Sequence, residues 1–78
     1  MRSTLKMPKV GDAANEVVIV ELLVKPGDTV SEGQNLMVVE TDKAQVEVPA
    51  PFGGTVAEIL VKVDQEVPTG APTLVLER

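Results

Sequence analysis

The chain has 78 residues, 12 acidic against 7 basic, no Cys and no His, and a formal net charge of −5. That length gives one domain, residues 1–78, with a modest core. The composition excludes a disulfide, a His/Cys metal centre and any Ser-His-Asp or Cys-His catalytic set, while the acidic balance and a single aromatic, Phe52, argue against nucleic acid or anionic membrane as partner.

Leu5-Lys6-Met7-Pro8 predicts a short first strand that Pro8 ends, because proline cannot donate to a ladder. The Met1 to Lys6 segment lacks the apolar core of a signal peptide, and no apolar run approaches the roughly 20 residues of a membrane helix. The expected location is therefore cytoplasmic in a bacterium, or the mitochondrial matrix in a eukaryote. Gly11 to Glu16 has the composition of a surface loop. Val17 to Val24 is rich in β-branched residues and predicts a strand, with Glu21 on the wet face and Val20, Leu22 and Val24 on the inward one.

Lys25-Pro26-Gly27-Asp28 is a turn, Thr29-Val30 at most a very short strand, and Ser31 to Gln34 a second turn leading into the strand Leu36 to Glu40. Past Thr41-Asp42-Lys43 the residues Ala44, Val46 and Val48 alternate with Gln45 and Glu47, the period of two of a half-buried strand. Lys43 is thus expected at the tip of a hairpin, in water. An exposed hairpin lysine is ordinarily a solvated surface residue, and a nucleophilic one needs burial or a nearby cation to disfavour its charge. Here Glu40, Asp42 and Glu47 favour the ammonium form. No catalytic residue is expected, and if Lys43 acts, it acts as a residue that another enzyme modifies.

The chain repeats itself: Glu21, Leu23, Val24-Lys25, Val30, Gly33, Val38 and Glu40 recur 37 positions later as Glu58, Leu60, Val61-Lys62, Val67, Gly70, Val75 and Glu77, with conservative pairs such as Ile19/Val56 and Leu22/Ile59 in the same register. Each half is a few short strands unable to bury a face alone, so the expected fold is all-β, a small flattened barrel or sandwich of two halves related by quasi-twofold symmetry. Aligning Leu5-Lys6-Met7-Pro8 with Val46-Glu47-Val48-Pro49 gives an offset of 41, which places about four extra residues in the Gly11 to Glu16 loop. By symmetry that loop is expected beside Lys43.

Glu40-Thr41-Asp42-Lys43-Ala44, running into Val46-Glu47-Val48-Pro49-Ala50-Pro51, resembles the attachment hairpin of a lipoyl domain, and the resemblance covers nearly the whole chain. Such domains belong to acyltransferase subunits of 2-oxo acid dehydrogenase complexes and occasionally stand alone; this chain is expected to be an excised domain or a free carrier. The resemblance implies lipoic acid in amide linkage on Lys43, placed there by a lipoyl ligase or lipoyl transferase. It implies three further partners: a thiamine-diphosphate-dependent decarboxylating component, an acyltransferase catalytic domain and a flavin-dependent dihydrolipoyl dehydrogenase. The recognition residues it suggests are Glu40, Thr41, Asp42 and Ala44, with Gly11, Asp12, Asn15 and Glu16 of the loop. Val17 and Leu22 stand where many such domains have Gly and Trp.

Three alternatives share the fold. A biotin carrier usually sets its lysine between two methionines, whereas Lys43 lies between Asp42 and Ala44. The glycine-cleavage carrier adds helices for which this chain has no period, and an unmodified structural module would not need the E-T-D-K-A tip.

Overall fold

The computed structural model describes residues 1–9, 16–41 and 44–78; residues 10–15, 42 and 43 lie outside the described residues. Among the described residues eight strands follow one another: β1 (Arg2–Lys6), β2 (Glu16–Leu22), β3 (Thr29–Val30), β4 (Asn35–Glu40), β5 (Gln45–Pro49), β6 (Gly54–Ile59), β7 (Glu66–Pro68) and β8 (Pro72–Glu77). They form two antiparallel four-stranded sheets in the orders β1-β8-β6-β3 and β5-β4-β2-β7. The sheets pack as a flattened sandwich, because each strand carries one row of apolar side chains that neither sheet can cover alone.

The repeat is a symmetry of the fold. Replacing β1, β8, β6 and β3 by their mates β5, β4, β2 and β7 turns the first sheet into the second without changing the order. The registers agree: Ile59 faces Leu74 as Leu22 faces Met37, and Thr55 faces Glu77 as Val18 faces Glu40. Core residues pair the same way. Ile19 with Val56, Val24 with Val61, Val30 with Val67, and Val39 with Leu76 are all buried mates.

Two expectations need correction. Val20 is not on the inward face of β2: Val17 and Ile19 are buried there, and a bulge between Ile19 and Glu21 absorbs Val20 as an extra residue. A bulge flips the alternation beyond it, so Leu22 and Val24 do pack inward as expected. β6 carries the matching bulge between Val56 and Glu58.

The second correction concerns β1, which ends at Lys6 and leaves Met7 and Pro8 beyond the strand. Met7 N–H donates to Ala71 O while Gly70 N–H donates to Met7 O, and Ala50 repeats both bonds with Gln34 and Gly33. Met7 therefore corresponds to Ala50, an offset of 43 rather than 41, and Pro8 corresponds to Pro51. Where Phe52 alone separates Pro51 from Gly53, residues 9–15 separate Pro8 from Glu16, so the first half is longer by six residues rather than four.

Candidate functional site

β4 and β5 form a hairpin whose ladder runs from Met37 opposite Val48 to Glu40 opposite Gln45. Val39 is wholly buried and Val46 half-buried on its inner face, which fixes the register because a slip of one residue would put both in water. Beyond Glu40 the ladder is closed by one residue pair. Thr41 N–H donates to Ala44 O at 2.8 Å, Ala44 N–H donates to Thr41 Oγ1 at 3.2 Å, and that hydroxyl donates to Ala44 O at 3.2 Å.

Of the residues expected at this site, Lys43 and Asp42 lie outside the described residues, as do Gly11, Asp12 and Asn15. Glu16, Glu40, Thr41 and Ala44 are described. Glu16, Glu40 and Thr41 line one shallow depression of about 270 Å³, together with Val17, Val18 and Glu66. Ladder pairing explains the grouping, since Val18 of β2 faces Glu40 on one side and Glu66 of β7 on the other. Thus Glu16, the first residue of β2, stands beside Glu40 and Thr41 at the end of β4.

Sequence reasoning missed Glu66. Its signal was the repeat itself: β3 pairs with β6, so its mate β7 must pair with β2, the strand that Glu16 begins.

Symmetry also exposes a difference in charge. Arg2 and Glu77 occupy the places of Gln45 and Glu40 in the other sheet, and the same side-chain contact recurs. Arg2 Nε donates to Glu77 Oε2 at 2.7 Å, where Gln45 Nε2 donates to Glu40 Oε2 at 3.3 Å. Arg2, by its hydrogen bond and then by its charge, holds the Glu77 carboxyl below its ordinary value of 4.5. Among the described residues no cation pairs with Glu40 in this way. The only ion pair among the described residues is Arg2 with Glu77, while the depression beside Thr41 is lined by three acidic side chains, Glu16, Glu40 and Glu66.

A second cavity, about 380 Å³, lies across the pseudo-twofold axis, where Leu36 and its mate Thr73, Leu5 and its mate Val48, and Pro8 and its mate Pro51 come together. Its lining is mainly apolar and Lys6 is its one charged member. No group of three or more potential metal-binding side chains exists among the described residues.

Comparison with known proteins gives three findings. A family described as biotin-requiring enzyme, with biotin or lipoyl attachment, matches residues 3–76. The chain is 49% identical over 77 residues to the dihydrolipoyllysine-residue acetyltransferase component of the pyruvate dehydrogenase complex of Haemophilus influenzae, covering 99% of this chain and 13% of that protein. With the protein of the same description from Pseudomonas aeruginosa it shares 46% over 66 residues, covering 85% of this chain and 12% of that protein. The chain thus spans about an eighth of the length of these relatives.

Among solved structures, the lipoyl domain of the 2-oxoglutarate dehydrogenase complex from Azotobacter vinelandii superposes with a TM-score of 0.77 at 27% identity, covering 96% of this chain and 95% of that one. A single-chain, multi-domain long-chain acyl-CoA carboxylase superposes with a TM-score of 0.81 at 30% identity, covering 99% of this chain and 7% of that one.

Proposed function

The chain belongs to the biotin/lipoyl-attachment family, as a carrier domain related to the lipoyl domains of dehydrogenase-complex acetyltransferases, and from that premise we propose that Lys43 carries lipoic acid in amide linkage. The observation that carries this reading is the β4–β5 hairpin, closed by Thr41 and Ala44 around the two residues Asp42 and Lys43. The likeness to an acyl-CoA carboxylase favours a second reading, a biotin carrier. Against it stand Asp42 and Ala44 as the neighbours of Lys43, in place of the methionines usual beside a biotinylated lysine.

The surroundings suit a tethered group that stays in solvent. Glu40, Ala44 and Gln45 are exposed, and the adjoining depression is lined by three carboxylates, which give an apolar ring no favourable resting place. Once attached, the dithiolane supplies the acyl-accepting and redox sulfur that a chain without Cys lacks. The protein's own contribution is to hold the attachment turn on a rigid hairpin and to raise the local concentration of the group at successive active sites. Those sites belong, on this reading, to a thiamine-diphosphate-dependent decarboxylating component, an acyltransferase domain and a flavin-dependent dihydrolipoyl dehydrogenase. Amide formation also removes the Lys43 charge and leaves the acidic side of the turn less balanced.

Intact mass spectrometry after coexpression with a lipoyl ligase is expected to show one added lipoyl group, absent in Lys43→Ala. Modification of Lys25 or Lys62, or uptake of biotin from a coexpressed biotin ligase instead, refutes the assignment.

A further inference from the structure

The repeat supplies an internal control for the attachment turn. Arg78 and Met1 occupy the places of Thr41 and Ala44, and at that end both reciprocal bonds are between main-chain groups: Arg78 N–H donates to Met1 O at 3.0 Å and the Met1 amine donates to Arg78 O at 2.6 Å. At the Lys43 end the first bond is kept, Thr41 N–H to Ala44 O. The second is replaced. Ala44 N–H donates to the Thr41 hydroxyl, which itself donates to Ala44 O.

We propose that Thr41 is a positioning residue for the modification of Lys43: its hydroxyl clamps Ala44 and so holds both flanks of the Asp42-Lys43 segment in one arrangement for the modifying enzyme. This rests on the carrier reading above. The ladder itself does not need the hydroxyl, since the main-chain bond from Thr41 N–H to Ala44 O already closes it, as Arg78 N–H to Met1 O does at the mate position. Thr41 is well suited to the task. It is half-buried against the depression that Val17 and Val18 help to line, and its β-branch restricts χ1, so the hydroxyl is held near Ala44 at little further entropic cost. A backbone acceptor would move with the chain it belongs to, whereas this side chain is anchored on the last residue before the segment. The conformation at Thr41 and Ala44 is thereby set before any enzyme meets them, which lowers the ordering cost of recognition.

The test compares wild-type chain, Thr41→Val and Thr41→Ser as substrates of a lipoate ligase supplied with lipoate and ATP, with initial rates measured against domain concentration. Loss of one or two side-chain hydrogen bonds lowers the population of the clamped turn, so the apparent KM for Thr41→Val is expected to rise about fivefold with kcat unchanged. Thr41→Ser restores the wild-type KM to within about twofold, because it keeps the hydroxyl. The thermal midpoint of Thr41→Val stays close to that of the wild type, and hydrogen exchange at the Ala44 amide speeds up by a factor similar to the KM change. A wild-type KM for Thr41→Val, an undiminished Ala44 protection, or failure of Thr41→Ser to restore the KM each overturns the clamp. If the wild-type chain itself takes no lipoyl group, the carrier reading falls first and the proposal falls with it.

Discussion

Gly27 and Asp64 are mates in the repeat, and both hold a left-handed backbone, at φ of 96° and 74°. Each ends a tight turn in which the residue after it, Asp28 or Gln65, bonds back to Lys25 or Lys62. A side chain at Gly27 would meet nothing within 4 Å, so Gly27→Ala sets left-handed backbone strain against the smaller gain from a stiffer unfolded chain and is expected to cost about 1 kcal/mol. Asp64→Gly removes a smaller strain, because Asp visits the left-handed region more readily than Ala, and it adds unfolded-state entropy, so the two nearly cancel. Urea unfolding of both variants measures this; an Asp64→Gly gain as large as the Gly27→Ala loss would show that Asp64 is as strained in the left-handed region as an alanine. The first turn was legible from Pro26-Gly27, since those residue types carry turn chemistry. The second was legible only through the repeat, because an Asp in the left-handed region leaves a fainter mark.

At the scale of strands, periodicity revealed where strands lie but not where they bulge. Val20 and Ala57 are absorbed by bulges, yet each sits in a run whose residue types are compatible with uninterrupted strand. The β1 offset was misread for a related reason. Prolines stand at both 49 and 51, and the likeness of Leu5-Lys6-Met7-Pro8 to Val46-Glu47-Val48-Pro49 selected the first, whereas the hydrogen bonds of Met7 select the second. The acidic surroundings of the site were partly legible, through Glu40 and Glu16; Glu66 needed the pairing of β7 with β2. β6 also departs from its mate. A Cβ at Gly54 would stand 2.8 Å from the carbonyl oxygen of Glu77, while the mate position in β2 carries Val17. Gly54→Ala must therefore push β6 from β8 and is expected to lower stability by roughly 1–3 kcal/mol, with the proposed lipoylation at the β4–β5 turn unaffected. Chemical denaturation alongside the modification assay tests both halves of that statement; a neutral Gly54→Ala would mean that the two strands separate at no cost.

Over the whole molecule the two halves are alike in space, and what joins them in sequence differs greatly. The outer strands β5 and β1 pair with equivalent partners, β4 and β8. Yet Gln45 meets Glu40 across five residues, while Arg2 meets Glu77 across 75. Closing the longer loop costs only a few times RT more, since loop entropy grows with the logarithm of length, but that cost comes before the contacts that reward it. Equal neighbours in the finished sandwich are thus unequal in time: the hairpin that carries the attachment turn is the natural place for folding to begin, and β1 is the natural last strand to dock. In stopped-flow chevrons, Val48→Ala in β5 should then chiefly slow refolding, and its mate Leu5→Ala in β1 should chiefly hasten unfolding. Equal partition of the two effects would mean that spatial symmetry governs the transition state and loop length does not. With the expected order, the surface proposed to meet the modifying enzyme is assembled while the far edge of the domain is still open, so that the proposed attachment and folding can overlap.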